Sequence, residues 1–198
     1  MKGSPGSRQD VTAPAAGSDA PVRVVVLVGF MGAGKTSVGR ELGKNLGWRF
    51  VDLDDRIQER EKRSITEIFR ESGEAEFRRA EHAALKEMLE TGGAAPLVLA
   101  VGGGAFGQAE NASVFEASSA STVFLDASAD ELWKRCGADR TERPLRRQES
   151  AFRQLYQDRR PRYLRATVHV DTAGKEVRRI ADEVVASLGL KRQPGEER

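Results

Sequence analysis

Residues 29–36 read Gly-Phe-Met-Gly-Ala-Gly-Lys-Thr: a glycine, four residues, then glycine, lysine and a hydroxyl. Those residue types at that spacing suit one task, the wrapping of a polyphosphate. Gly32 and Gly34 lack a Cβ, so consecutive peptide N–H groups can turn inward on phosphate oxygens. Lys35 would bridge the β- and γ-phosphates, and the Thr36 hydroxyl would ligate Mg²⁺. Ala33 and Ser37 complete the segment expected to hold ATP.

Such a loop works only between a strand and a helix, because the positive end of the helix supplies part of the field. Both are legible. VRVVVLV (22–28) precedes the loop, and a helix is expected from about Lys35 to Leu46, stopped by Gly47. Similar apolar runs recur at 48–53, 96–101, 121–126 and 166–170, as strands buried on both faces do. Ser64 with Glu67 and Ser128 with Glu131 have capping-box spacing. Further helices are expected from after Gly73 to about Glu90, from Glu149 to Tyr163 and from Lys175 to Leu188. The alternation predicts a three-layer α/β domain with a parallel sheet and right-handed crossovers.

The chain has 198 residues and a formal net charge of +2, enough for one domain and too balanced for a general nucleic-acid binder. Between Lys134 and Arg165, however, eleven Lys/Arg stand against four Asp/Glu. Beside a phosphate loop, that stretch reads as a phosphate-facing surface rather than an ordinary solvated helix face. Cys136 is the single cysteine, so no internal disulfide forms and a reducing cytoplasm is expected. Residues 1–20 and 191–198 have the composition of disordered tails, which leaves 21–190 as one domain. No run approaches the length of a membrane span. DTAG (171–174) looks like a GTPase switch motif but lies far beyond the loop, so Asp171 and Gly174 are read as a strand end and a helix approach.

Five further motifs follow the loop in order. FVDLDD (50–55) carries Asp52 and Asp54; GEAEFRRAE (73–81) carries Arg78; GGG is 102–104; RPL (143–145) and RRP (159–161) lie in the basic segment. In this order, over about residues 22–188, they resemble the shikimate kinase family. The resemblance implies a five-stranded parallel sheet of order 2-3-1-4-5, related to nucleoside monophosphate kinases. It also implies ATP-dependent phosphorylation of the shikimate 3-hydroxyl, in the chorismate route to aromatic amino acids. Asp52 matches the metal-side carboxylate, acting on Mg²⁺ mostly through water. Asp54 matches the residue that orients the substrate 3-hydroxyl or accepts its proton. Arg78 and Arg159 match the two carboxylate-binding arginines, and Gly102, Gly103 and Gly104 would bring backbone N–H groups to the substrate. Arg143 matches the lid arginine that reaches the transferring phosphate, within a lid at about 137–148. Arg135 resembles the residue stacked on adenine. Glu81 would orient Arg78, and Phe77 would pack in the core or the substrate-domain wall rather than touch chemistry. His82 and His169 match no family role.

The pattern departs from the family after RPL, where Arg146 and Arg147 replace an apolar residue, and after RRP, where Arg162 and Tyr163 replace the usual Leu-Tyr. Arg140 receives no role. A kinase for another carboxylated polyol, such as gluconate, is the alternative. A nucleotide-dependent regulator or nucleic-acid binder using 134–165 is the third reading. The expected partners are shikimate and ATP, with no nucleic acid, no membrane and a monomeric state.

Overall fold

The computed structural model describes residues 22–91, 95–138 and 149–193. Five short strands form one parallel sheet: β1 (Val24–Val28), β2 (Arg49–Asp52), β3 (Leu97–Ala100), β4 (Ser121–Asp126) and β5 (Val168–Asp171). Their spatial order is β2-β3-β1-β4-β5, as the resemblance implied. Every residue of β1 and β3 is buried, because helices cover both faces. The helices are α1 (Lys35–Leu46), α2 (Leu53–Glu61), α3 (Ile65–Thr91), α4 (Ala109–Ala117), α5 (Ala129–Ala138), α6 (Glu149–Tyr163) and α7 (Val177–Ser187). α1 packs on α7, α2 on α3, α3 on α4, and α5 on α6.

Register decides where chemistry can occur. Leu27 of β1 lies opposite Ala100 of β3 and Val123 of β4, and Asp52 of β2 also lies opposite Ala100. The phosphate loop, the Asp52–Asp54 turn and the glycine triplet therefore all leave the sheet at one carboxyl edge. That is where open α/β sheets bind ligands.

Local signals explain most element ends. Gly34 (φ 88°) precedes α1 and Gly47 (φ 65°) follows it, both left-handed, as glycine permits. The Ser64 hydroxyl accepts the Glu67 N–H at 3.2 Å, and the Glu67 carboxylate accepts the Ser64 N–H at 2.7 Å, which is a complete capping box. Gly73, at φ 78° and ψ 177°, breaks α3 where the second helical pattern begins.

Four points differ from expectation. β5 begins at Val168 rather than 166, because the Thr167 N–H is taken by the Thr122 hydroxyl at 2.9 Å. α7 begins at Val177 rather than Lys175. Gly174 (φ 63°) turns the chain there, and the Lys175 N–H donates to Thr172. α4 was not anticipated. Its nine residues have one buried member, Asn111, so they carry no helical stripe. Ser128 also caps only one way: it accepts the Glu131 N–H at 3.3 Å, while the Glu131 carboxylate turns to Arg135.

The expected N-terminal tail 1–20 and most of the expected lid lie outside the described residues, while Gly137 and Ala138 end α5. Of the expected tail 191–198, residues 191–193 are described. There Arg192 pairs with Asp182 at 2.5 Å, and the Gln193 N–H donates to the Asn45 carbonyl at 3.1 Å. Among the described residues no helix is long and apolar enough to cross a membrane.

Candidate active site

The phosphate loop is anchored on both sides. Phe30 is 1% exposed and meets Phe152 and Tyr156 of α6 edge-on, at ring-centroid distances of 5.0 and 5.6 Å. Gly32 (φ 80°) passes so close to α5 that an added Cβ would lie 2.9 Å from the Cys136 sulfur and 3.0 Å from the Leu132 carbonyl. No other residue type fits there. Within the loop, the Lys35 ammonium donates to the carbonyls of Gly29 and Phe30 at 2.9 and 3.2 Å. This folds the charge back over its own loop, where a phosphate would meet it.

The second element of the site is the end of β2. Asp52 caps α2 by accepting the Asp54 N–H at 3.2 Å. Its other oxygen accepts the Thr36 hydroxyl at 2.7 Å. A carboxylate and a hydroxyl in contact at the loop's mouth are hard oxygen donors of the kind Mg²⁺ takes from protein, the rest coming from phosphate and water. Among the described residues no group of three or more His, Cys, Asp or Glu could hold a metal by itself.

The glycine triplet is the hub of the third element. A Cβ on Gly102 would lie 3.2 Å from Asp54 Oδ1 and 3.2 Å from Glu81 Oε1. One on Gly103 would lie 3.3 Å from Arg159 Nη1 and 3.6 Å from the Gly29 carbonyl. One on Gly104 would lie 2.9 Å from Arg78 Nη1. Residues from α2, α3 and α6, distant in sequence, thus converge on three consecutive peptides beside the first glycine of the phosphate loop.

Electrostatics fix the arginines. Arg78 Nη1 donates to Glu81 at 2.8 Å and Nη2 to Glu74 at 3.0 Å, and the guanidinium lies 5.2 Å over the Phe77 ring. The side chain of Glu81 is 2% exposed. Burial pushes the Glu81 carboxyl above its usual range, although Arg78 beside it pulls the other way. Burial lowers the Arg78 pKa, and the two carboxylates overcome that and raise it. Arg160, next to Arg159, is committed to Asp126 at 2.7 Å, and Tyr156 donates to the Ala127 carbonyl at 3.0 Å. These bonds pin α6 to the end of β4 while Arg159 faces Gly103.

Arg135 bonds Thr172, at 3.0 Å to its hydroxyl and 2.7 Å to its carbonyl, with Glu131 behind it. This sets its guanidinium at the end of β5, and its Cβ lies against Gly32. Arg143, Arg140, Arg146 and Arg147 lie outside the described residues. In the basic segment Arg135, Arg153 and Arg160 are each bonded to acidic side chains, unlike a bare cationic stripe. His82 pairs with Asn111 at 2.8 Å, and Asn111 donates to the Ala105 carbonyl at 2.9 Å. His169 contacts the Leu164 carbonyl at 3.1 Å. Neither of these hydrogen bonds reaches the phosphate loop.

Sequence reasoning missed Glu74, Thr172 and Tyr163. Glu74 and Tyr163 each stand four residues from a site arginine, on the same helical face, and that spacing was a usable signal. Thr172 meets Arg135 only through the sheet.

The family model described as Shikimate kinase matches residues 31–189. A curated shikimate kinase of Persephonella marina is 34% identical over 168 residues, covering 84% of this chain and 99% of that protein. One of Thermus thermophilus is 39% identical over 171 residues, covering 85% and 91%. The solved shikimate kinase of Acinetobacter baumannii in complex with shikimate superposes with a TM-score of 0.75 at 32% identity, covering 86% of this chain and 96% of that one. A matched model over most of the length, relatives above 30% identity and the observed strand order agree: this chain belongs to the shikimate kinase family.

Proposed function

We propose that the protein transfers the γ-phosphoryl group of ATP to the 3-hydroxyl of shikimate. The observation that carries this reading is the glycine triplet, bordered by Asp54, Arg78 and Arg159 and adjoining Gly29 of the phosphate loop. Two guanidinium groups suit a carboxylate, and three peptides without side chains let a small ring lie against the backbone. Asp54 borders Gly102 of the triplet, where it orients the acceptor hydroxyl or takes its proton.

The rest of the site acts on charge. Lys35 and the peptide N–H groups of Gly32–Ser37 hold the phosphates of ATP, and Arg135 borders the nucleotide from the end of β5. Mg²⁺ would be held by Thr36 directly and by Asp52 through water, and when bound it offsets charge on the β- and γ-phosphates. Arg143, from the lid, supplies a further guanidinium to the equatorial oxygens of the transferring group. The lid closes over both substrates and keeps water from ATP. The protein acts as a cytoplasmic monomer on small molecules.

A coupled ADP-release assay with a panel of acids tests the reading. Shikimate should be turned over preferentially, and preferential turnover of gluconate would reject it. Arg78→Ala should raise the shikimate KM strongly, since an unpaired buried carboxylate costs about 2–5 kcal/mol. An unchanged KM and kcat would remove Arg78 from the carboxylate clamp. Salt-sensitive polynucleotide binding without acceptor-dependent ADP release would favour a regulator instead.

A further inference from the structure

The last residue of α6, Tyr163, is fully buried at 1% exposure, yet it has a polar tip. Its ring lies 5.3 Å from that of Phe124 in β4, so the body of the side chain belongs to the core. Its hydroxyl donates to the carbonyl of Gly103, the middle glycine of the triplet, across sixty residues of sequence. Arg159, one helical turn earlier on the same face, lies beside the same oxygen. The site a Cβ would take on Gly103 is 3.3 Å from both the Tyr163 hydroxyl and Arg159 Nη1. One phenol, bonded to the middle peptide of the triplet, therefore stands beside the guanidinium that faces the same peptide.

We propose that Tyr163 is a positioning residue, whose hydroxyl fixes the Arg159 guanidinium relative to the Gly103 peptide and so sets the geometry of the carboxylate clamp. This rests on the shikimate reading of the same site. Arg159 sits on α6, and its neighbour Arg160 is bound to Asp126. Four rotatable bonds would otherwise let the Arg159 head wander. A buried acceptor of fixed orientation removes that freedom before substrate arrives. Burial, against the opposing pull of Arg159 and Arg162, pushes the phenol up to about 12. The hydroxyl thus keeps its proton at any working pH, donates it to the Gly103 carbonyl and turns its lone pairs to the guanidinium beside it. Phenylalanine at 163 would keep the packing on Phe124 and lose the bond to Gly103 together with the oxygen beside Arg159.

A double-mutant cycle tests this. Tyr163→Phe should raise the shikimate KM about 3- to 10-fold, the loss expected for one neutral hydrogen bond, with kcat and the ATP KM moving less than about twofold. In an Arg159→Ala background, the same substitution should add less than about twofold, because there is no guanidinium left to position. A purely structural tyrosine would act otherwise. Its loss would move the ATP and shikimate KM values together, or would add in full to Arg159→Ala, and either result overturns the proposal. So does an unchanged shikimate KM in Tyr163→Phe. Failure of the underlying reading shows separately, as wild-type protein that turns over no shikimate, and it would take the proposal with it.

Discussion

Gly104→Ala separates recognition from folding. The backbone at Gly104 is ordinary right-handed (φ −98°, ψ −30°), so alanine strains nothing there. By restricting the unfolded chain it should even stabilise, by about 0.4–1 kcal/mol. The new methyl would stand 2.9 Å from Arg78 Nη1, 3.1 Å from Nη2 and 3.3 Å from Cζ. Comfortable carbon contacts lie at about 3.5–4.0 Å, so the guanidinium must retreat by roughly 0.6–1.1 Å. Arg78 is long and tipped with flexible bonds, so the fold yields cheaply. The cost falls on the ligand. A misplacement near 1 Å costs on the order of 100-fold, and a hydrogen bond to a charged group is worth about 1.5–3 kcal/mol. The shikimate KM should rise about 10- to 100-fold, with the ATP KM within about twofold, in the coupled assay. A melting curve should show Tm unchanged or slightly raised. An unchanged shikimate KM in a stably folded variant would refute the claim that Gly104 is bare to admit Arg78. A steep fall in Tm would refute the claim that the collision is with a side chain that can move.

Three other outcomes follow from the same geometry. Lys35→Met should lower kcat by on the order of 10³-fold, as removal of a donor to developing charge does, while circular dichroism and Tm stay near wild type. Ser64→Ala removes the hydroxyl bonded to Glu67 in the capping box. It should cost about 1 kcal/mol in denaturant unfolding and leave both KM values alone. Glu81 gives a pH signature. Burial raises its folded pKa above the ordinary 4.5, so the folded state binds the proton more tightly than the unfolded chain. Its contribution to stability is greatest below that ordinary value and is lost as pH rises through the raised one. Wild type should lose Tm relative to Glu81→Gln as pH climbs from 4.5, and a difference independent of pH would contradict the burial argument.

Local chemistry was legible in the sequence. The loop at 29–36 could be read because its chemistry is local: glycines take positive φ angles, and Lys35 bonds the carbonyls of Gly29 and Phe30. Helix α1, the Ser64 box, the break at Gly73 and the strand order were equally accessible, the last through the resemblance. Helix α4 was not, because its one buried side chain, Asn111, belongs to a hydrogen bond with His82 rather than to a stripe.

The sequence by itself determined the phosphate loop, the alternation of strands and helices, and the residue types of the acceptor site. Only the tertiary structure decided that Arg160 serves Asp126 and that the Tyr163 hydroxyl bonds the Gly103 peptide beside Arg159, whose own place in the cleft was expected through the resemblance. Without the resemblance, two adjacent arginines look alike along a chain. Which of them meets the cleft depends on how α6 is rotated against the sheet, and packing of Phe152 and Tyr156 on Phe30 sets that rotation across more than a hundred residues.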